Sequence, residues 1–133
     1  MMLSGCTGYL AAALERQGAV FEALETLQQA LQLYPDEMYY RPEIFRLRGE
    51  LRLKQGQTEL AETDFRDAIA LAQKMSAKAW ELRTTTSLAR LIARQRRREE
   101  AHSMLAEIYS WFTEGFDTAD LKDAKALLDE LGD

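Results

Sequence analysis

The chain has 133 residues, of which 47% are hydrophobic and 29% charged, and its formal net charge is −5. This length suits one domain of ordinary size, and the apolar content argues against wholesale disorder. The acidic balance argues weakly against nucleic acid as a partner. The lone cysteine, Cys6, fits a reducing compartment, and no apolar run approaches the ~20 residues of a membrane span. We therefore expect a cytoplasmic protein that does not enter a membrane.

Strong helix formers dominate the composition, and the chain contains only two prolines and seven glycines. This composition predicts an all-α fold. In chain order, apolar spacing and turn signals predict seven helices, over residues 4–17, 20–33, 38–55, 57–75, 77–95, 97–113 and 117–131. Pro42 fits the third of these helices only near its start or with a kink.

The sequence contains three copies of one pattern, the second 38 residues after the first and the third 40 residues further on. Each copy predicts two amphipathic helices joined by a tight turn. The expected turn residues are Gly18, Gly56 and Arg96, and a small residue follows each of them: Ala23, Ala61 and Ala101. Glycine ends a helix in the left-handed conformation at little cost, whereas Arg96 must find another turn geometry or accept strain.

This pattern resembles the tetratricopeptide repeat (TPR). The family's small eighth residue maps to Ala11, Gly49 and Ala89, its turn glycine to Gly18 and Gly56, and its closing proline to Pro35. Arg52 departs from the family, since a large apolar residue usually stands there, and the spacings exceed the family's ~34 residues. The resemblance implies antiparallel helical hairpins stacked as a short right-handed solenoid. We expect a single TPR-like domain, 1–133, with repeats at about 4–37, 42–75 and 82–113 and a capping helix at about 117–131.

A narrower resemblance covers nearly the whole chain and is most specific from Trp80 to Leu131. This region is similar to the C-terminal helical part of large bacterial multidomain regulators, which carry a nucleotide-cyclase or DNA-binding domain, a signal-transduction NTPase and TPR-like repeats. The cyclase and NTPase parts are absent from this sequence, so their activities are not implied. The implied role is a non-catalytic interaction or scaffold module, the sensing or regulatory part of a bacterial signalling protein.

The stretch from Trp111 to Lys125 predicts how the repeats end. Gly115 is expected to stop the sixth helix, and Asp117 to cap the N-terminus of the seventh, with Phe116 and Leu121 as a hydrophobic staple. The seventh helix carries one apolar stripe that would cover the last repeat: Leu121, Ala124, Leu127, Leu128 and Leu131. The alternative is a recognition loop that uses Trp111 and Phe116.

The first helices of successive TPR units are expected to line a concave groove. The residues predicted for this partner-binding groove are Arg16, Arg46, Glu50, Lys54, Arg83, Ser87, Arg90 and Arg94. Arg83, Arg90 and Arg94 share one helix face by spacing. A basic groove binds an acidic protein segment, a peptide carboxylate or a phosphate. In the alternative interpretation, these arginines are solvated or pair with Glu43, Glu50 and Glu81.

Charge is also unevenly spread along the chain. Residues 82–98 hold six arginines and no acid, whereas residues 111–133 hold seven acids and two lysines. This asymmetry predicts a partner surface or pairing within the protein. Two further alternatives are self-association, since the first repeat has no N-terminal cap, and weak nucleic-acid binding through Arg94–Arg98.

The sequence offers little for catalysis, so we expect no enzyme, no cofactor and no metal. His102 is the lone histidine, no serine or cysteine stands out as its nucleophile, and no Cys/His set has metal-ligand spacing. An enzyme would need a pocket with convergent titratable groups, and a solvent-facing His102 would remove the best candidate. The polar run Thr84–Ser87 is interpreted as packing or capping, with a ligand-facing patch as the alternative.

Overall fold

The computed structural model describes residues 20–33 and 41–132, and over these residues the protein is all-helical, with no strand. Its helices are α1 Val20–Leu33, α2 Arg41–Lys54, α3 Thr58–Lys74, α4 Lys78–Arg94, α5 Arg98–Tyr109 and α6 Ala119–Gly132. They fall on the last six predicted helices. The predicted helix at 4–17 and the predicted turn residue Gly18 lie outside the described residues, as do Cys6 and Pro35.

Three helix-to-helix turns share one backbone geometry. Each contains a residue in the left-handed conformation: Gly56 (φ 77°), Ser76 (φ 56°) and Arg96 (φ 63°), spaced 20 residues apart. The amide after each of these residues donates back across the turn, Gln57 to the Arg52 carbonyl at 2.9 Å and Arg97 to the Ile92 carbonyl at 3.1 Å. This is the Schellman ending of a helix. Arg96 therefore accepts the strained conformation, and the 20-residue spacing sets the regular alternation of helix and turn.

The chain divides into two compact units, one ending at Leu71 and the other beginning at Ala72, within α3. In the first unit, α1 packs on α2. Its apolar core consists of Ala23, Leu24, Leu27, Ile44 and Leu51, with Val20 and Leu47 packed against it. Pro42 is buried in the first turn of α2, where a missing amide hydrogen is tolerated.

Helix α2 meets α3 through one close approach and one buried charge. Gly49 lies against the fully buried ring of Phe65, so near that an added Cβ would stand 2.7 Å from Phe65 Cε1. The carboxylate of Asp64, 1% exposed, accepts hydrogen bonds from Arg48 at 2.7 Å and from Arg52 at 2.9 Å. Arg52, the departure from the TPR pattern, therefore neutralises a buried acid on the next helix.

In the second unit, α4, α5 and α6 pack against one another. Helix α6 buries Leu121, Ala124, Leu127 and Leu131, while Leu128 is half-buried. The apolar stripe predicted for the last helix is thus buried at four of its five positions. Helix α6 lies on both α4 and α5, as a covering helix should.

The connection between α5 and α6 differs from its prediction. Helix α5 ends at Tyr109, four residues before the predicted end, because tight turns follow it: the amides of Trp111 and Phe112 donate to carbonyls three residues earlier. Gly115 is left-handed (φ 77°), but it lies inside the loop and does not end the helix.

The start of α6 is also displaced from its prediction. The helix begins at Ala119, and the Thr118 carbonyl accepts its first helical hydrogen bond, from Lys122 at 3.0 Å. Asp117 is therefore not the N-cap. Phe116 lies one residue before the N′ position of a hydrophobic staple, so its predicted staple role is wrong. The Phe116 ring instead lies against Tyr109, with ring centroids 5.7 Å apart. No helix in the described part of the chain has both the length and the apolar character needed to cross a membrane.

Candidate functional site

We call the residues predicted for the partner-binding groove the predicted groove row. Its members on α2 belong to the first unit. Arg46 forms an ion pair with Glu43, one turn earlier in the same helix. Glu50 is half-buried, and Lys54 is exposed at the last residue of α2. Arg16 lies outside the described residues. The structure thus places these three side chains on a single helix.

The arginines of the row that lie on α4 reach α6. Arg83 donates to Asp120, with Nη2 3.0 Å from Oδ2, and Arg90 lies 2.5 Å from Oδ1 of Asp123. These aspartates were not among the partners considered from the sequence. They realise, within the second unit, the internal pairing that the uneven charge distribution predicted as one of two outcomes. Because all four side chains are a third to a half exposed, each pair contributes at most about 1 kcal/mol to stability.

A cleft of about 380 Å³ opens where the end of α4 and the start of α5 meet the last turns of α6. Its lining residues are Arg90, Ala93, Arg94, Arg98, Leu127, Glu130 and Leu131, and we call it the arginine cleft. Leu127 and Leu131 are buried members of the core. The cleft therefore combines apolar surface with three guanidinium groups. It brings Arg90 and Arg94 of the predicted row together.

The three guanidiniums in the arginine cleft differ in their partners. Arg90 pairs with Asp123, and Arg98 Nη2 donates to the backbone carbonyl of Glu130 at 2.6 Å, in the last turn of α6. Arg94 is exposed and forms no ion pair or side-chain hydrogen bond with residues 20–33 and 41–132. A guanidinium in this state binds a carboxylate or phosphate through two parallel hydrogen bonds.

The polar run on α4 is part of the packed interior. Ser87, a member of the predicted row, is only 5% exposed, and Thr84, Thr85 and Thr86 are buried with it. Thr86 donates to the Leu82 carbonyl at 2.8 Å, while the Thr84 hydroxyl has no partner among the described residues. Packing, rather than an open ligand-facing patch, accounts for this run.

The basic run Arg94–Arg98 is divided among different roles. Arg97 pairs with Glu100, with Nε 2.7 Å from Oε2, and Arg98 is bound to the Glu130 carbonyl. Arg94 lines the arginine cleft, and Arg96 is exposed at the left-handed turn. The run does not present its four guanidiniums as one uniform patch.

His102 lines a second cleft, of about 500 Å³, between α5 and α6. It is half-buried rather than solvent-facing, so its position does not remove the enzyme alternative. Lys125 Nζ, in the same cleft, donates to Asp129 Oδ1 at 2.6 Å, and this hydrogen bond raises the pKa of Lys125 above its ordinary value. No serine or cysteine of the described residues lines the cleft.

Over residues 20–33 and 41–132, no group of three or more His, Cys, Asp or Glu side chains is arranged to hold a metal ion.

The loop from 110 to 118 carries exposed aromatic side chains. Trp111 is 57% exposed and Phe116 is 45% exposed. Lys78 Nζ, at the first residue of α4, lies 5.6 Å from the centre of the Trp111 ring. Glu114 and Asp117 are exposed in the same loop and have no ion-pair partner in the described part of the chain. We call this segment the aromatic loop.

Sequence reasoning placed Arg98 with Arg94 in the basic run but not among the predicted groove residues, because the two arginines belong to different helices. It also missed the pairing of Arg83 and Arg90 with α6. The spacing did contain a signal for this pairing. Asp120 and Asp123 share a face of one predicted helix, and Arg83 and Arg90, seven residues apart, share a face of another. Which helix faces meet is a property of packing, and spacing along the chain does not specify it.

Comparison with known proteins adds a fold likeness. No protein-family model matches the chain, and no curated protein matches its sequence. A solved structure does match, the crystal structure of BtubC (BKLC) from P. vanneervenii, with a TM-score of 0.75 at 17% sequence identity. The match covers 98% of this chain and 62% of the BtubC chain. At this identity the likeness concerns the fold alone.

Proposed function

We propose that this chain is a TPR-like helical repeat module that binds an acidic segment of a partner protein and catalyses no reaction. The observation that carries the proposal is the arginine cleft, where Arg94 stands beside buried leucines without an ion-pair partner among the described residues. The three Schellman turns at 20-residue spacing support the repeat assignment, because stacked helical hairpins are built by repeating one unit.

The composition of the arginine cleft favours a particular class of ligand. Ala93 and the small exposed edges of Leu127 and Leu131 offer apolar carbon to the side chain of a ligand, while Arg94 offers a permanent positive charge. A peptide that places a carboxylate next to an apolar side chain satisfies both surfaces at once. A phosphate alone would use only the charge. The cleft is therefore better matched to an acidic, partly apolar peptide.

The setting we propose is a cytoplasmic signalling protein of bacteria. The similarity of Trp80–Leu131 to the helical end of multidomain regulators supports this assignment. In such a protein the module would dock another domain of the regulator or a separate polypeptide. Its role would be to sense or relay the presence of that partner.

The test is peptide binding measured by fluorescence anisotropy. The probe is a labelled peptide of alternating glutamate and leucine, and its lysine–leucine counterpart is the negative control. We expect the acidic peptide to bind and Arg94→Glu to weaken binding at least about tenfold, since a favourable charge-assisted contact becomes repulsive. Arg94 is changed alone because Arg83 and Arg90 also hold α6 through their aspartate pairs. Removing all three arginines would therefore alter stability as well as binding.

Arg96→Glu is the matched control, because it makes the same change in charge two residues away, outside the cleft. It should weaken binding much less than Arg94→Glu does, because the exposed Arg96 charge lies outside the cleft and is screened by salt. Equal losses in the two variants, or no binding of the acidic peptide at low salt, would contradict the proposal.

A further inference from the structure

The arginine cleft and the aromatic loop have complementary chemistry. The cleft presents the guanidinium of Arg94 beside apolar surface. The loop presents the carboxylates of Glu114 and Asp117 beside the exposed rings of Trp111 and Phe116. Arginine binds carboxylates bidentately and also stacks on aromatic faces, so one arginine can use both features of the loop.

The two surfaces cannot meet within one molecule. Trp111 lies beside Lys78, the first residue of α4, whereas Arg94 is the last residue of that helix. A helix of 17 residues is about 25 Å long, so the aromatic loop and the arginine cleft lie at opposite ends of the same rigid element. Only the loop of another molecule can therefore reach the cleft.

We propose that the arginine cleft of one copy binds the aromatic loop of a second copy of this chain. The inference rests on the proposed function, because it names the acidic, partly apolar segment that the cleft takes. Glu114 or Asp117 of one copy contacts Arg94 of the other, and an aromatic ring of the loop covers the apolar part of the cleft. Trp111 already accepts one cation, Lys78, over its ring.

The contact is heterologous, since the surface used by one molecule differs from the surface used by its neighbour. Each molecule keeps one cleft or one loop unoccupied after the first contact forms. Association therefore continues head to tail, into short chains or a closed ring, and grows with protein concentration. This distinguishes it from a two-fold dimer, which would stop at two copies.

Sedimentation velocity of the full chain over a wide concentration range tests the proposal. The unmodified protein should show a weight-average sedimentation coefficient that rises with concentration. The cleft variant Arg94→Glu and the loop variant Glu114→Lys/Asp117→Lys should each remain monomeric, because each places like charges opposite one another. Far-UV circular dichroism should show unchanged helix content in both variants.

Mixing the two variants gives the most specific result. An equimolar mixture should associate, because the loop variant retains an intact cleft and the cleft variant retains an intact loop. The altered cleft and the altered loop also carry opposite charges, so growth of the mixture beyond a heterodimer agrees with the proposal. Arg96→Glu is the charge-matched control and should associate as the unmodified protein does.

Other outcomes overturn the proposal. They are a monomer at every concentration, association that survives both variants, equal loss in Arg94→Glu and Arg96→Glu, or a mixture that stays monomeric. If the glutamate–leucine peptide still binds through Arg94 while the protein is monomeric, only the self-association is wrong. If that peptide also fails to bind, the proposed function fails with it.

Discussion

At the scale of single residues, the turns of this protein depend on backbone conformation more than on side-chain contact. Gly56, Ser76 and Arg96 hold equivalent left-handed positions, although only glycine adopts that conformation without steric cost. For an L residue the cost is roughly 1–2 kcal/mol. The protein tolerates it at Arg96 because the surrounding hydrogen bonds fix the turn: the amides of Arg96 and Arg97 donate to the carbonyls of Ala93 and Ile92.

Replacing Arg96 by glycine should stabilise the protein. Relief of strain is partly offset by the greater entropy of glycine in the unfolded chain, which leaves a gain of about 0.5–1 kcal/mol. Urea denaturation measures this change in the free energy of unfolding. The reciprocal control is Gly56→Ala, where an added Cβ meets nothing within 4 Å, and it should lose about 1 kcal/mol from conformation alone. A destabilised Arg96→Gly variant would contradict this account.

At position 49, the space left by neighbouring side chains, and not the backbone conformation, requires glycine. Alanine would improve helix propensity by about 1 kcal/mol, but its Cβ would stand 2.7 Å from a ring atom of Phe65 that is fully buried. Overpacking of this kind costs about 1–3 kcal/mol, so Gly49→Ala should destabilise the protein. In a double-mutant cycle with Phe65→Leu, the double variant should be less destabilised than the sum of the single changes. Strict additivity would show that the ring does not limit this position.

At the scale of elements, helices are joined by apolar stripes together with a small number of buried or half-buried charges. Asp64 on α3 takes hydrogen bonds from Arg48 and Arg52 on α2, and all three side chains have less than a fifth of their surface exposed. By contrast, the ion pairs between α4 and α6 are much more exposed. Removing one partner of the Asp64 cluster should therefore cost more stability than removing one partner of an α6 pair, because it leaves buried charge without its counter-ion.

Asp64→Ala tests the cluster directly. The change leaves two partly buried arginines without their acceptor, and we expect a loss of about 3 kcal/mol in the free energy of unfolding. Asp67→Ala is the matched control, since Asp67 is an exposed aspartate on the same helix, and it should change stability by no more than about 0.5 kcal/mol. Similar losses for the two variants in chemical denaturation would remove the special role given to Asp64.

At the scale of the whole molecule, the distribution of charge matters more than its sum. The formal net charge is −5, yet the second unit sets an arginine-rich helix against an acidic one, so much of its positive charge is neutralised internally. Arg97 and Arg98 are bound to Glu100 and to the α6 backbone. Few guanidiniums of the basic run therefore remain for phosphates.

We expect no measurable binding of a labelled random DNA duplex or RNA at low salt, because non-specific binding requires several simultaneous phosphate contacts. Fluorescence anisotropy across a salt series checks this expectation. Glu100→Gln releases Arg97 from its ion pair and serves as a variant biased toward binding. Tight binding by the unmodified protein, with a steep loss of affinity as salt rises, would favour the nucleic-acid alternative.

Local signals in the sequence predicted the helical class, the turn positions at Gly56 and Arg96, and the apolar stripe of α6. They sufficed because helix periodicity, glycine and side-chain hydrophobicity act over a few residues. The end of α5 and the start of α6 were placed wrongly, since aromatic contact and tight turns there outweigh capping preferences.

Which helix faces which was decided only by the tertiary structure. The sequence showed that Arg83, Arg90 and Arg94 share one face, and it also predicted internal pairing of the two charged stretches as one of two outcomes. Because α6 packs on α4, Arg83 and Arg90 form ion pairs with aspartates of α6. Arg94 instead lines a cleft with Arg98. Burial, pairing and access to a partner depend on residues distant in sequence, and the period of one helix carries no information about them.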